Sequence, residues 1–372
     1  MIKKVFHLPP HTNIHKSNLN FEPTSWEKYF DHKDGILIGD NKFNVYTKGI
    51  LGPVLFFIHG GGFSGLSWAL LVEDLSKLID CRYISMDLRG HGETQTMDDL
   101  DLSIETLTKD VLGVLTYLFS ATNTNIILVG HSMGGGVAAH VAEEGVSQSI
   151  DFIKGIILVD VVEGTAIDAL SGMQSYLRSR PKSFDSVTKA IEWSVKNGQI
   201  KNVDSAKVSV PGELKKINYS SPEYAEFSNS HKHSNPAGKY SSIPENCELD
   251  DVHMFPAIQK PTEDSTKSVY VWRAQLDKSG KFWEGWFKGL SKMFINLPIP
   301  KLLILAGVDH LDKELTIAQM QGKFQMVILS RCGHSVHEDL PDEVAGVVAS
   351  FLAKHKMVVL ANPNMASFEP TC

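Results

Sequence analysis

Cysteine is scarce in this chain: four residues, Cys81, Cys247, Cys332 and Cys372, are scattered over 372 positions. None stands in a Cys-x-x-Cys pair or a metal-finger spacing, so the expectation is reduced thiols rather than a disulfide framework or a zinc site. No stretch approaches roughly 18 uninterrupted apolar residues, which excludes an ordinary membrane-spanning helix. Lys3 and Lys4 are followed by no continuous apolar segment, so no secretory signal is expected. Without a secretory route the Asn218-Tyr219-Ser220 sequon should be inert. A cytoplasmic and/or nuclear location is therefore expected, with no membrane partner. Basic residues form no dense stripe and the formal net charge is −7, which argues against a nucleic-acid binder. Internal repeats are absent too. What is present is ample apolar material, 42% of the residues, enough to bury one large core or two small ones.

The apolar residues fall in short runs separated by longer helical patterns. Val54–Ile58, Arg82–Met86, Ile126–Val129, Ile156–Val159, Leu302–Leu305 and Phe324–Leu329 read as strands. They are nearly continuous rather than alternating, which suits strands covered on both faces and hence a mostly parallel sheet. Between them, 103–119 carries Leu107, Val111, Val114, Leu115 and Leu118 at helical spacing, with Ser103 as a plausible N-cap. Alternating strands and helices define an α/β fold, a central sheet flanked by helices. We expect a loosely ordered arm over 1–30, one domain over 31–356, and a tail over 357–372. The pattern breaks at about 165–298, read as a helical cap inserted between the sixth and seventh core strands. Within it, the polar stretch 216–267, with His231 and His233, is expected to be a mobile loop. Trp283 and Trp286 share one helical face, suited to packing the cap on the sheet or to lining a cleft.

The chemistry centres on Gly130-His131-Ser132-Met133-Gly134, set between a strand and a small-residue helical stretch. This is the Gly-x-Ser-x-Gly nucleophile elbow in its strand–turn–helix context. A serine hydroxyl needs a base, and the base needs an acid that fixes its tautomer. On an α/β-hydrolase fold the order is Ser, acid, His. His334, in Cys332-Gly333-His334, follows the last core strand and is the preferred base, with His337 as the alternative. His131 is suited to orienting the elbow, and His59, His91 and His140 precede the acid and fit no base position. Two aspartates end core strands, Asp160 and Asp309, and the residues alone leave the acid open between them. The oxyanion hole should draw one N–H from Met133 and another from Gly61 or Gly62 in the run His59-Gly60-Gly61-Gly62. That run is not a phosphate loop, for no Walker lysine follows it.

Several runs together resemble the protein phosphatase methylesterase family. They are His59-Gly60-Gly61-Gly62, the elbow with Gly135, and Val159-Asp160-Val161-Val162-Glu163-Gly164-Thr165-Ala166. Met173-Gln174, Arg180-Pro181-Lys182, Ile191–Lys196, Leu305–Asp309, Met320–Gln325 and Cys332-Gly333-His334 add to them. The elbow is generic to esterases, whereas the Asp-Val-Val-Glu-Gly-Thr-Ala and Met-Gln-Gly-Lys-Phe-Gln runs are specific. The resemblance covers roughly 25–215 and 267–355. It implies an α/β-hydrolase that removes the methyl ester from the C-terminal leucine of the catalytic subunit of type 2A protein phosphatase. It also implies that the acid is Asp160 rather than Asp309, and that docking of the phosphatase aligns the triad. The chain departs from the pattern in lacking a dense acidic run within 216–267 and in its C-terminal tail. The expected mechanism, acyl transfer through Ser132, needs no metal or organic cofactor. Two other readings fit the same residues: a generic small-molecule carboxylesterase, and a phosphatase-binding regulator that does not turn over.

Overall fold

The computed structural model describes residues 19–122, 124–148, 152–231, 268–307 and 312–361. Eleven strands run in chain order among these residues. They are β1 (His32–Ile38), β2 (Asn41–Lys48), β3 (Val54–Ile58), β4 (Arg82–Met86), β5 (Ile126–His131), β6 (Ile153–Val159), β7 (Ser183–Phe184), β8 (Leu214–Asn218), β9 (Ser268–Trp272), β10 (Lys301–Leu305) and β11 (Gln325–Ile328). Eight of them form the central sheet in the order β1-β2-β4-β3-β5-β6-β10-β11. From β4 through β3, β5, β6 and β10 to β11 every pairing is parallel; β1 and β2 join antiparallel at one edge. The six apolar runs are the six parallel strands. The edge hairpin went unread because its inward residues alternate with polar ones, as in the half-exposed pattern of β1.

Alternate residues of each strand feed two cores, as the period-two side-chain direction requires. Val54, Phe56 and Ile58 pack with α2 (Ile104–Phe119) and α3 (Met133–Ser147). Leu55 and Phe57 pack on the other side with α1 (Ala69–Leu78) and the C-terminal helix Pro341–Lys354. Each fully buried aliphatic or aromatic side chain contributes about 1.5–3 kcal/mol. Ser103 does precede α2, but its hydroxyl makes no capping bond; its carbonyl accepts the Leu107 N–H instead.

The insert lies between β6 and β10, the sixth and seventh strands of the large sheet. It is not purely helical: β7, β9 and β8 form an antiparallel three-stranded sheet. Its first helix, α4 (Glu163–Ser179), stops before Arg180-Pro181, where the residue preceding proline is extended (φ −66°, ψ 144°). Phe184 and Trp193 each pack edge to face on Trp272, and tilted on one another, as a small core of the cap.

Three expected boundaries shift. Residues 19–30 are docked rather than loose, with Tyr29 and Phe30 buried and Thr24 N–H donating to the Lys207 carbonyl. Of the stretch 216–267, residues to 218 belong to β8 and 222–231 form a helix ending at His231, while His233 and 232–267 lie outside the described residues. The tail begins ordered: Leu360 bridges to Ile79, and Ala361 N–H donates to Leu78.

Candidate active site

The elbow is a matter of space. A Cβ on Gly130 would stand 2.3 Å from the Gly134 carbonyl oxygen, and one on Gly134 would stand 2.3 Å from the Ile58 oxygen. Glycine at both positions lets α3 start directly against β5 and β3. Ser132, between strand and helix, is forced to φ 51° and ψ −121°, a conformation that costs about 1–3 kcal/mol for a residue with a side chain. Its N–H donates to the Val159 carbonyl at 3.1 Å, tying the turn to β6. Met133 opens α3, so its N–H has no intrahelical partner and is left for a ligand.

Asp160 follows β6 directly and also has positive φ (48°). Its N–H donates to Ile304 of the neighbouring β10, and its Oδ1 accepts from Ala306 N–H at 2.8 Å. Oδ2 faces His334 Nδ1 at 2.7 Å. A carboxylate can only accept, so Nδ1 carries the proton and Nε2 keeps its lone pair. Burial pushes the Asp160 carboxyl up, but the hydrogen bond and charge of His334, the Ala306 amide and His131 outweigh it and hold the carboxyl below its ordinary value. Asp309 lies outside the described residues.

Ser132, Asp160 and His334 line one cavity of about 360 Å³. Thr165, Ala166, Leu170 and Met173 of α4, with Phe287, supply its apolar wall. The His334 side chain is 56% exposed, accessible to an incoming substrate.

The His334 loop is pinned from two sides. Asp339 Oδ2 accepts the Gly333 N–H at 2.6 Å, and its Oδ1 accepts Lys201 N–H. His131 Nε2–H donates to the His334 carbonyl at 2.9 Å, so the residue beside Ser132 also holds the backbone of the candidate base. Burial pushes His131 well below the usual imidazole range, keeping it neutral with Nδ1 unpartnered. His337, the alternative base, is fully buried with neither ring nitrogen hydrogen-bonded and lies 4.0 Å from Trp68, centroid to centroid. Burial pushes it down to about 3. It does not line the cavity.

Of the two expected glycine donors, Gly62 is committed: its N–H donates to His91 Nε2 at 2.9 Å, leaving Gly61 as the candidate beside Met133. His91 and His59, which fit no base position in chain order, brace this loop. His91 Nδ1–H donates to the Arg89 carbonyl. His59 donates to Gly60 and accepts from Leu88 N–H. Burial lowers His91 to about 4 and His59 well below its ordinary value, so both stay neutral and keep the acceptor nitrogen these bonds need. No local spacing signals such contacts, because His91 lies 29 residues beyond Gly62. Likewise His140 donates to the Gly136 carbonyl within α3. Trp283 and Trp286 are buried, hydrogen-bonded to Ser279 and Leu102, and pack the cap rather than lining the cavity with Ser132. Glu163 accepts from the Gly289 and Ser291 amides, fixing α4 to the segment after Phe287.

Residues 55–347 match the model of an alpha/beta hydrolase family. Among solved structures the chain is similar to E-2-(acetamidomethylene)succinate hydrolase, with TM-score 0.61, 16% identity, and coverage of 87% of this chain and 99% of that one. An esterase of Mycobacterium tuberculosis matches with TM-score 0.56 and 18% identity over 87% of this chain and 92% of that one. At such identities these likenesses speak for the fold. Curated relatives are far closer in sequence. Protein phosphatase methylesterase 1 of Bos taurus is 45% identical over 342 residues, 91% of this chain and 87% of that protein. The Schizosaccharomyces pombe protein of the same name is 35% identical over 347 residues, 91% of this chain and 87% of that one. The chain belongs to the protein phosphatase methylesterase family, carboxylic ester hydrolases built on the α/β-hydrolase fold.

Proposed function

We propose that this chain demethylates the C-terminal leucine methyl ester of the catalytic subunit of type 2A protein phosphatase, with Ser132 as nucleophile, His334 as base and Asp160 as its orienting acid. The observation that carries the catalytic assignment is the 2.7 Å contact between His334 Nδ1 and Asp160 Oδ2 at the rim of the cavity that Ser132 lines. The substrate class rests on the family, whose members of Bos taurus and Schizosaccharomyces pombe are named protein phosphatase methylesterases.

The reaction runs as a two-step acyl transfer. Ser132 Oγ attacks the ester carbonyl carbon as its proton passes to His334 Nε2. The carbonyl oxygen becomes an oxyanion, held by the amides of Met133 and Gly61. Collapse breaks the carbon–methoxy bond, and His334 returns the proton to give methanol and an acyl-serine. Water then attacks, His334 again taking and giving the proton, and the leucine carboxylate leaves with Ser132 restored. Asp160 remains ionised throughout and stabilises the imidazolium that forms. The apolar wall from α4 suits a leucine side chain. Cys81 and Cys332 are free thiols, which suits the reducing cytoplasm and nucleus that we assign as the site of action.

The test compares methylated phosphatase catalytic subunit with p-nitrophenyl acetate. The proposal expects kcat/KM for the protein ester to exceed that for the small ester by at least about 100-fold, because binding energy from remote contacts is used at the reacting centre. The reverse preference would identify a generic carboxylesterase. Tight phosphatase binding with no methanol released would identify a regulator.

A further inference from the structure

A second cavity, about 460 Å³, lies in the cap beyond the C-terminal end of α4. Leu177 and Arg180 line it, whereas Thr165 to Met173 line the cavity that holds Ser132. Its most unusual member is Arg180. The guanidinium lies over the Trp272 ring, 3.6 Å from the centroid, and Trp272 is itself held by its Nε1–H bond to the Pro181 carbonyl. Arg180 Nε is buried with no hydrogen-bond partner, and its acidic neighbours Glu213 and Asp277 act on it only through space. The residue as a whole is half-buried, so this planar fork of five donors is sealed at Nε, lines the cavity, and has no carboxylate bound to it.

The surroundings do not supply that anion. Glu213 is fully buried, its carboxyl accepts from Gln199 Nε2, and burial pushes it up to about 8, so it is mostly protonated at neutral pH. Around the cavity Arg273 is paired with Asp99 and Lys215 with Glu223. That leaves Arg180, Lys182 and Lys278 facing Asp277 and Glu226, an excess of positive charge. The site adjoins the reaction centre. The Cβ position of Gly62 is 3.9 Å from Arg180 Nη1, that of Gly61 is 3.6 Å from the Met133 sulfur, and both face Leu276.

We propose that Arg180 is a substrate-binding residue that takes the carboxylate of an acidic side chain in the peptide leading to the methyl ester. This rests on the reading of the substrate as a peptide C-terminal methyl ester. An extended peptide advances about 3.3 Å per residue, so the acidic residue sits roughly two to five positions before the esterified one. Trp272 presents the fork, the X-Pro bond fixes the backbone beneath it, and Lys182 and Lys278 raise the local positive potential.

The test uses the Ser132→Ala chain, which binds without turnover, and synthetic ten-residue peptides ending in leucine methyl ester. Each carries one Asp, or the matching Asn, two to five positions upstream. Binding is followed by calorimetry and by Trp272 fluorescence. At one position Asp should bind about 10- to 100-fold tighter than Asn, as a charge-assisted bidentate pair requires. Arg180→Gln should erase that preference, and Arg180→Lys should restore only part of it, for lysine lacks the planar fork. Melting curves and circular dichroism check that each variant is folded, and the lysine variant keeps the comparison open should the glutamine one fail to fold. Equal binding of Asp and Asn peptides at every position, no binding of any peptide, or a preference that survives Arg180→Gln would overturn the proposal. Failure of the esterase reading looks different: acidic peptides would bind through Arg180 while the Ser132-containing chain left the methyl group in place.

Discussion

The rim of the central sheet and the cap above it are built on opposite terms. At the rim, the backbone around Ser132, Asp160 and His334 is pinned to neighbouring elements: Ser132 N–H to Val159, Asp160 N–H to Ile304, Gly333 N–H to Asp339, and the His334 carbonyl to His131. Gly130 and Gly134 have no room for a methyl group. In the cap, α4 is half-buried or exposed along its whole length except at Leu177, its one buried residue. Gly172 in that helix has nothing within 4 Å of its Cβ position, and Arg180 holds a charge without an anion. Chemistry that needs atoms fixed to fractions of an ångström sits where the backbone cannot shift. The proposed recognition of the substrate peptide falls where surfaces are left open.

This contrast can be broken or sharpened by substitution. Ser132→Ala should give the largest effect, a loss of on the order of 10⁴- to 10⁶-fold in methanol release with phosphatase binding retained, read by turnover and by calorimetry. Asp160→Asn comes next, with kcat down on the order of 10⁴-fold because the imidazole loses its fixed tautomer. Asp309→Asn should cost less than about tenfold, and if the two results are exchanged the acid has been misassigned.

Gly134→Ala should destabilise by about 3 kcal/mol in denaturant melts, because the new methyl group meets the Ile58 carbonyl. The same change at Gly172 should stabilise by about 0.5–1 kcal/mol, since α4 gains helix propensity at no steric cost. Similar values for the two would dissolve the distinction between rim and cap.

A further effect concerns pH. Glu213 is raised from 4.5 to about 8 by burial, so between those values the folded chain holds a proton that the unfolded chain has released. The Glu213 contribution to stability therefore falls as pH rises through this window, by on the order of 1 kcal/mol per unit at most; buried Glu338 acts in the same direction, while His59, His91, His131 and His337, held neutral by burial, act in the opposite one below about pH 6.5. Glu213→Gln should lessen the fall in stability between pH 6.5 and 8, where the histidines no longer contribute, and an unchanged slope there would show that another group such as Glu338 is responsible.

Much of this architecture is legible in the residues because it is imposed locally. Continuous apolar runs such as Val54–Ile58, too short for a helix, suit strands covered on both faces, and Gly130 and Gly134 bracket a turn where a side chain would collide with the backbone. What depends on distant partners is not. The strands β7, β8 and β9 pair across long intervals of polar sequence. Asp160 and Asp309 follow adjacent strands with the same local character, so no spacing rule separates them. The Gly62 amide looks free until His91 is seen to accept from it. His334 and His337 stand three residues apart, yet one is half-exposed against Asp160 and the other is sealed beside Trp68. Burial, which separates them, is a property of the assembled fold.

The most direct measurement is the intact mass of carboxymethylated phosphatase catalytic subunit incubated with this chain and, in parallel, with its Ser132→Ala variant. Loss of one methyl group from the C-terminal leucine with the first, and an unchanged mass with the second, is the predicted result. A methylated subunit that persists in both reactions, or that is demethylated equally in both, would contradict a serine methylesterase acting through Ser132.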